Sequence, residues 1–280
     1  MVITILPVEK YSVLISVYKN DKASFLALAI DSMRNQTCPP DEIVLVKDGP
    51  LTTELDTLVS NYQNRYPELF TVIENKKNMG LGLALNRGLC ACRNELVARM
   101  DADDIAAKDR CEKQLAYFQT HPDTAVLGGQ IEEFIGTPGN VVDRRLVPCE
   151  NQEIYAYLKK RCPFNHMTVM LKKSEVLSAG NYLDCFWDED YYLWIRMAIQ
   201  ACSFANLPDA LVHVRTSEDT FARRGGRHYL KSELFLQRLM LKNRLITPLR
   251  YLLNVMIRVT VQRLMPNRVR RWVYLKFARQ

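Results

Sequence analysis

No stretch of this 280-residue chain reaches the uninterrupted apolar run of about eighteen residues that a membrane-spanning helix needs. The longest candidate, near the C-terminus, is broken by Arg250, Arg258 and Arg263. Short, regular cysteine spacings are also missing. The eight cysteines (Cys38, Cys90, Cys92, Cys111, Cys149, Cys162, Cys185, Cys202) are scattered, and Cys90-Ala91-Cys92 has no second half elsewhere, which excludes a disulfide scaffold or a zinc module and predicts a reducing compartment. Met1 to Pro7 has no basic flank before its apolar residues and no small-residue cleavage site, so it does not read as a secretory leader and a cytoplasmic location is expected. Internal repeats and low-complexity tracts are absent. Acid is nearly missing from Phe221 to Gln280, where fifteen Lys or Arg stand against Glu233 alone, giving +14 there and −7 on residues 1–220. Such a basic arm on an acidic body predicts an anionic surface as partner. The arm lacks the aromatic-interleaved sheet or zinc spacing of common nucleic-acid modules, so acidic lipid is expected and nucleic acid is not.

With 48% hydrophobic residues the chain has ample material for a core. Tyr11 to Tyr18 is β-prone, and Lys22 to Arg34 carries Phe25, Leu28, Ala29 and Met33 at helical spacing. Glu42 to Val46 is a second strand, ending in the turn signal Asp48-Gly49-Pro50. A helix over Leu51 to Arg65 and a strand over Phe70 to Ile73 follow. This β-α-β-α-β order predicts an α/β fold with a mostly parallel, Rossmann-like central sheet flanked by helices. A helix begins at Asn78-Met79-Gly80-Leu81-Gly82, where the early glycines permit close backbone approach, but their spacing is not that of a dinucleotide fingerprint. Further on, strands are expected over Ala125 to Ile131 and Met167 to Leu171, and a helix over Asn151 to Lys160. The expected division is a catalytic domain over 1–220, with a nucleotide half at about 10–105 and an acceptor half at about 106–220, then a basic helical extension over 221–280.

Met100-Asp101-Ala102-Asp103-Asp104 comes between the strand-like Glu95 to Met100 and a helical stretch from Ala106 to Thr120. Carboxylates separated by one residue at the carboxyl edge of a sheet can present hard oxygens to Mg²⁺ or Mn²⁺ while a nucleotide's phosphates complete the coordination. The plain reading of the same residues is a helix cap with solvated neighbours. A second acidic group, Asp188-Glu189-Asp190, opens the helix containing Tyr191 to Met197. Either Glu189 or Asp190 could serve as a base toward an acceptor hydroxyl, and either could simply favour the positive end of the helix dipole.

The order of Ser16-Val17-Tyr18, Asp48-Gly49, Asn78-Met79-Gly80 with Ala84, Asn86 and Gly88, then Met100 to Asp104, then Glu189-Asp190 resembles the family 2 glycosyltransferases over roughly residues 10 to 215. The resemblance implies a GT-A type fold, inversion at the anomeric carbon, and Mn²⁺ or Mg²⁺ as cofactor. Carried over position by position, it implies that Val17 and Tyr18 lie against the nucleotide base and that Asp48 hydrogen-bonds it. Asp101 would approach the ribose or sugar, Asp103 would bind the metal, Asp190 would be the base, and Glu189 would position a sugar. Leu211 to Arg215 resembles a segment often written Tyr-Arg-x-His, but Val214 stands at the tyrosine position and the histidine position is Glu218 or absent. His213 is retained as a metal or diphosphate candidate, and Arg223 and Arg224, beside Gly225-Gly226, as a lid over the diphosphate. The nearest members assemble bacterial O-antigen, capsule and exopolysaccharide units. They imply a UDP-galactose or UDP-glucose donor, an acceptor sugar on undecaprenyl diphosphate, a β-linkage such as β-1,3, and peripheral attachment to the inner face of the inner membrane. A sugar-1-phosphate nucleotidyltransferase is the rival, but it needs a glycine-rich loop where this chain has Ser16 to Asp21 without glycine.

Overall fold

Every second residue of the first strands points to a different core, and that alternation sets the layers. The computed structural model describes residues 9–216 and 227–260. In β1 (Tyr11–Val17), β2 (Glu42–Lys47) and β4 (Leu96–Met100), Leu14, Val44, Val46 and Val97 face one buried cluster. Val13, Ile15, Ile43, Leu45 and Ala98 face the other. A sheet apolar on both faces must be covered on both. The first face is closed by α3 (Leu81–Ala91), α5 (Asn151–Leu158), α6 (Lys173–Ser178), α7 (Glu189–Ile199) and α8 (Arg227–Lys242). The second is closed by α1 (Ala23–Arg34), α2 (Thr53–Arg65) and α4 (Arg110–Thr120).

The sheet runs β3-β2-β1-β4-β8-β6-β9-β5, where β3 is Phe70–Glu74, β5 Ile105–Ala106, β6 Thr124–Phe134, β8 Met170–Lys172 and β9 Ser203–Arg215, with β7 (Val141–Arg145) paired to β6. The α/β layering expected from the sequence is present, but the sheet is mixed rather than mostly parallel. β3, β2, β1 and β4 are parallel, whereas β8 is antiparallel to both β4 and β6, and β5 to β9. The reason is that βαβ alternation stops after β4, and a strand arriving by other routes is free to run either way.

Two boundaries move for identifiable reasons. Ile105–Ala106 joins the sheet edge instead of starting a helix, because Ala106 N donates to Ser32 Oγ (3.0 Å) and Ala107 N to Leu211 O (2.9 Å). The strand expected from Met167 instead begins with a helical turn, His166–Thr168, held by Thr168 Oγ1 donating to Asn165 O (2.7 Å).

The proposed boundary at residue 220 lies outside the described residues. Beyond it, Leu236 and Met240 of α8 join the first core cluster. α9 (Pro248–Val259) is capped by Thr247, whose Oγ1 accepts from Arg250 N (3.2 Å). It docks through Asn254, which donates to Lys159 O (2.8 Å) and Gln237 Oε1 (2.7 Å). Its outer face leaves Leu249, Leu252, Leu253, Met256 and Ile257 exposed.

Candidate active site

The acidic turn after β4 is built on a buried cation. Arg99 is 2% exposed, and a guanidinium in that position must be compensated. It donates two hydrogen bonds to Asp101, at 2.6 and 2.5 Å. Its carbonyl accepts from Arg110 Nη2 (2.8 Å), which also reaches Val169 O (3.2 Å) and so ties the floor of the turn to the approach to β8. Asp101 is therefore committed to Arg99. Asp104 is committed as well, because it is buried and its Oδ1 accepts from Arg215 N (2.9 Å). Burial, followed by Asp101 and Asp103, pushes its carboxyl well above the usual carboxylate range. Arg215 closes the turn by lying over Phe25 (3.9 Å to the ring centre) and Phe134 (4.7 Å) while its Nε donates to Asp103 O (3.2 Å).

Asp103 is the exposed member of the three. Loss of solvent around its carboxyl and repulsion from Asp101 push it up to about 6. Asp21, in the loop after β1, accepts from Tyr18 N (2.9 Å), and burial with repulsion from Asp103 and Asp101 pushes it up to about 6 too. Among the described residues no group of three or more His, Cys, Asp or Glu could hold an ion unaided. The donor set nevertheless fits Mg²⁺ or Mn²⁺, which are held by one or two carboxylates and complete their shell with substrate phosphates and water. Asp103 and Asp21 are the carboxylates here that could hold such an ion. His213 turns its Nδ1 toward the Glu132 carboxylate (3.3 Å).

The start of α7, which carries the second acidic group, is seated against α3 by a glycine. A Cβ at Gly82 would stand 2.9 Å from Leu183 O and 3.0 Å from Glu189 Cβ, so only glycine lets α3 touch the start of α7. Burial and Asp190 push Glu189 up to about 7, against the pull of Arg99. The turn carrying His166 links the two elements, since Arg99 N at β4 donates to Val169 O (2.9 Å) and the His166 ring lies edge to face with Trp194 of α7 (6.0 Å). Tyr182 joins the same group of contacts, its carbonyl accepting from Asn86 Nδ2 of α3 (2.7 Å). Burial raises its phenol, with Arg99 opposing and Asp190, Glu189 and Asp101 adding, and its hydroxyl meets His166 Nε2 at 3.0 Å. The His166 imidazole is held well below its ordinary value by burial and by Arg99. Asp190 keeps part of its surface open, its Oδ1 accepting from Tyr191 N (2.6 Å) and its Oδ2 from Cys162 Sγ (3.4 Å).

The other sequence candidates divide. The Val17 side chain is fully buried in the second core, while Tyr18 is exposed. The carboxylate of Asp48 organises the loop before α3, with Oδ1 accepting from Asn75 Nδ2 (2.9 Å) and Met79 N (2.8 Å) and Oδ2 from Gly80 N (3.0 Å). Arg223 and Arg224 lie outside the described residues. Sequence reasoning missed Arg99, although a cation inside the apolar run Leu96 to Met100 was a signal. It also missed Asp21, Cys162, His166, Tyr182 and Arg215, whose roles depend on distant neighbours.

Behind the site, Asp188 is 5% exposed, and burial, Glu233 and Asp190 push its carboxyl up to about 8. A raised carboxyl means that the folded chain binds a proton the unfolded chain has released, so this group's contribution to stability falls as pH rises from about 4 to about 8. Asp188→Asn is expected to flatten that fall and to raise Tm at pH 8 relative to the parent chain. Thermal melts from pH 5 to pH 9 test this, and an unchanged slope would remove Asp188 as the source.

Residues 12–179 match the family model described as "Glycosyl transferase family 2". Over 266 residues the chain is 41% identical to the amylovoran biosynthesis glycosyltransferase AmsE of Erwinia amylovora, covering 95% of this chain and 98% of that protein. Over 273 residues it is 37% identical to the Escherichia coli UDP-Gal:alpha-D-GlcNAc-diphosphoundecaprenol beta-1,3-galactosyltransferase, covering 97% of both. Among solved structures it is similar to S. aureus TarS 1-349 in complex with UDP, with TM-score 0.65 and 17% identity over 95% of this chain and 75% of that one. The mannosyltransferase PcManGT from Pyrobaculum calidifontis, in complex with GDP-Man and Mn2+, matches with TM-score 0.58 and 16% identity over 96% of this chain and 79% of that one. At those identities the structural likeness establishes the GT-A fold.

Proposed function

The chain belongs to glycosyl transferase family 2, and from that premise we propose that it moves a hexose from UDP-galactose or UDP-glucose to a saccharide on undecaprenyl diphosphate. The anomeric centre inverts to give a β-linkage, with β-1,3 favoured. The observation that carries this reading is the packing of the elements that bear the two acidic groups: Arg99 N of β4 donates to Val169 O (2.9 Å), and His166, three residues before it, meets the Tyr182 hydroxyl (3.0 Å) and lies edge to face with Trp194 of α7 (6.0 Å). Donor and acceptor chemistry then share one cleft. The relative that acts on diphosphoundecaprenol-linked GlcNAc, alike over 97% of both chains, supports the same donor and acceptor classes.

In this proposal Asp190 accepts the proton of the acceptor hydroxyl as that oxygen bonds to the anomeric carbon, while the bond from that carbon to UDP breaks on the opposite face. A divalent cation at Asp103, when bound, offsets the charge that gathers on the departing diphosphate. Glu189, pushed up to about 7, is partly protonated near neutral pH and in that form can donate to a sugar hydroxyl while Asp190 receives a proton. Arg99 holds Asp101 rigid, so the turn carrying Asp103 does not collapse onto the cation. Asp48 acts by shaping the loop against which Tyr18 and the base are set. Incubation with UDP-[¹⁴C]galactose or UDP-[¹⁴C]glucose and a synthetic diphosphate-linked GlcNAc acceptor, with and without Mn²⁺, tests the reading. Label should enter the acceptor with Mn²⁺, and failure with both donors would reject it.

Peripheral association with the anionic inner face of the membrane completes the proposal. No helix among the described residues is long and apolar enough to cross a membrane. α9 instead offers Leu249, Leu252, Leu253, Met256 and Ile257 on one face, at the spacing of an interfacial helix. Arg258 is turned inward, pairing with Glu233 and donating to Lys160 O (2.9 Å), so it is not among the residues facing lipid. Leu252 and Met256 are 56% and 59% exposed, so replacing both with Glu should leave the fold intact. Partition onto phosphatidylglycerol vesicles should fall by about tenfold or more. Undiminished sedimentation with vesicles would show that α9 is not the anchor.

A further inference from the structure

Ahead of α7 the chain holds two aromatic rings in solvent at a backbone cost. Phe186 is 50% exposed and Trp187 51%, and Leu183 nearby is exposed as well. Trp187 has φ of +63°, a left-handed conformation uncommon for a bulky residue. A turn that merely led into the helix would be easier with glycine there. The conformation is imposed from three sides. Asp188 N donates to Cys185 O (2.8 Å), Ser232 Oγ of α8 donates to Phe186 O (2.9 Å), and Leu183 O lies against Gly82 of α3. The two rings meet edge to face, 5.8 Å apart at 61°, with His228 5.7 Å from Phe186 on the other side. Trp194, within α7, is fully buried, so the exposed indole of Trp187 is not explained by the core. Strain of this kind, held by surrounding contacts, gathers where a binding surface is being aimed.

Resting on the transferase reading above, we propose that Phe186 and Trp187 form the platform on which the acceptor's pyranose ring lies. A pyranose has an apolar face of C–H bonds and a rim of hydroxyls. The aromatic faces take the first, and Glu189 and Asp190, two and three residues after Trp187, take the second. The platform belongs to the acceptor, because the group beside it receives a proton and the diphosphate end of the site is formed by Asp103. An anionic lipid surface is the other partner that exposed tryptophan suits, but Asp184 and Asp190 flank Phe186 and Trp187 with acidic side chains, whereas the apolar stripe of α9 belongs to the basic part of the chain.

Steady-state kinetics with a water-soluble, short-alkyl diphosphate-linked GlcNAc acceptor test the assignment. Trp187→Ala and Trp187→Gly should each raise acceptor KM by about tenfold, the loss of one well-placed aromatic contact. UDP-sugar KM and the pH profile of kcat should stay as in the parent. Trp187→Phe should restore acceptor KM to within about threefold, since a flat apolar face is kept. Trp187→Gly suits the left-handed backbone, so its Tm should not fall, which separates the platform from a folding role. Unchanged acceptor KM in the Gly and Ala variants overturns the platform, and so does lost vesicle binding with KM intact, which would give the rings to lipid. If the parent chain itself transfers nothing, the transferase reading fails instead.

Discussion

Asp190→Asn is expected to lower kcat by about 10²- to 10⁴-fold, the range over which a positioned base contributes. UDP-sugar affinity should change by less than about twofold, which is well below one kcal/mol. The amide keeps the shape, its oxygen can still accept from Tyr191 N, and its NH2, in the place of Oδ2, can donate to Cys162 Sγ, so the local fold has no reason to move. What disappears is the capacity to take a proton from an incoming hydroxyl. Equilibrium binding of UDP-sugar beside single-turnover transfer separates the two. Equal losses in both would make Asp190 a structural residue and leave the mechanism without a base.

Asp103→Ala should remove the Mn²⁺-dependent part of UDP-sugar binding, weakening affinity by more than about tenfold with the ion present and little without it. The contrast with its neighbours gives this prediction its force. Asp101 is spent on Arg99 and Asp104 on the Arg215 amide, whereas Asp103 is the exposed carboxylate, pushed up to about 6 by lost solvent and by Asp101. Removing a carboxylate held above its ordinary value relieves repulsion, so the metal-free Tm should hold or rise. Calorimetric titration with UDP, with and without Mn²⁺, and melts of the ion-free chain supply readouts independent of turnover. Equal UDP affinity in the presence of Mn²⁺ would move the cation elsewhere.

Much of this site was legible in linear order because its chemistry is concentrated at strand ends and helix starts. An apolar run followed by Asp101 to Asp104, and an acidic opening to α7, are local signals. The buried scaffolding behind them is not local. Asp104 takes its meaning from Arg215, 111 positions away, and Asp190 from Cys162, 28 positions away. The sheet reading went astray for a similar reason. Parallel pairing is implied by βαβ alternation, but β8 enters between β4 and β6 in an order that no neighbouring residue encodes.

What the sequence determined by itself was the α/β class, the two acidic groups and the basic C-terminal segment, all of which follow from the period of apolar residues and from charge. Only the tertiary structure decided which of three neighbouring aspartates remains exposed, that the start of α7 seats on α3 at Gly82, and that α9 turns Arg258 inward and leaves its leucines out. A carboxylate's role depends on the donors and charges around it, and burial brings those from distant parts of the chain.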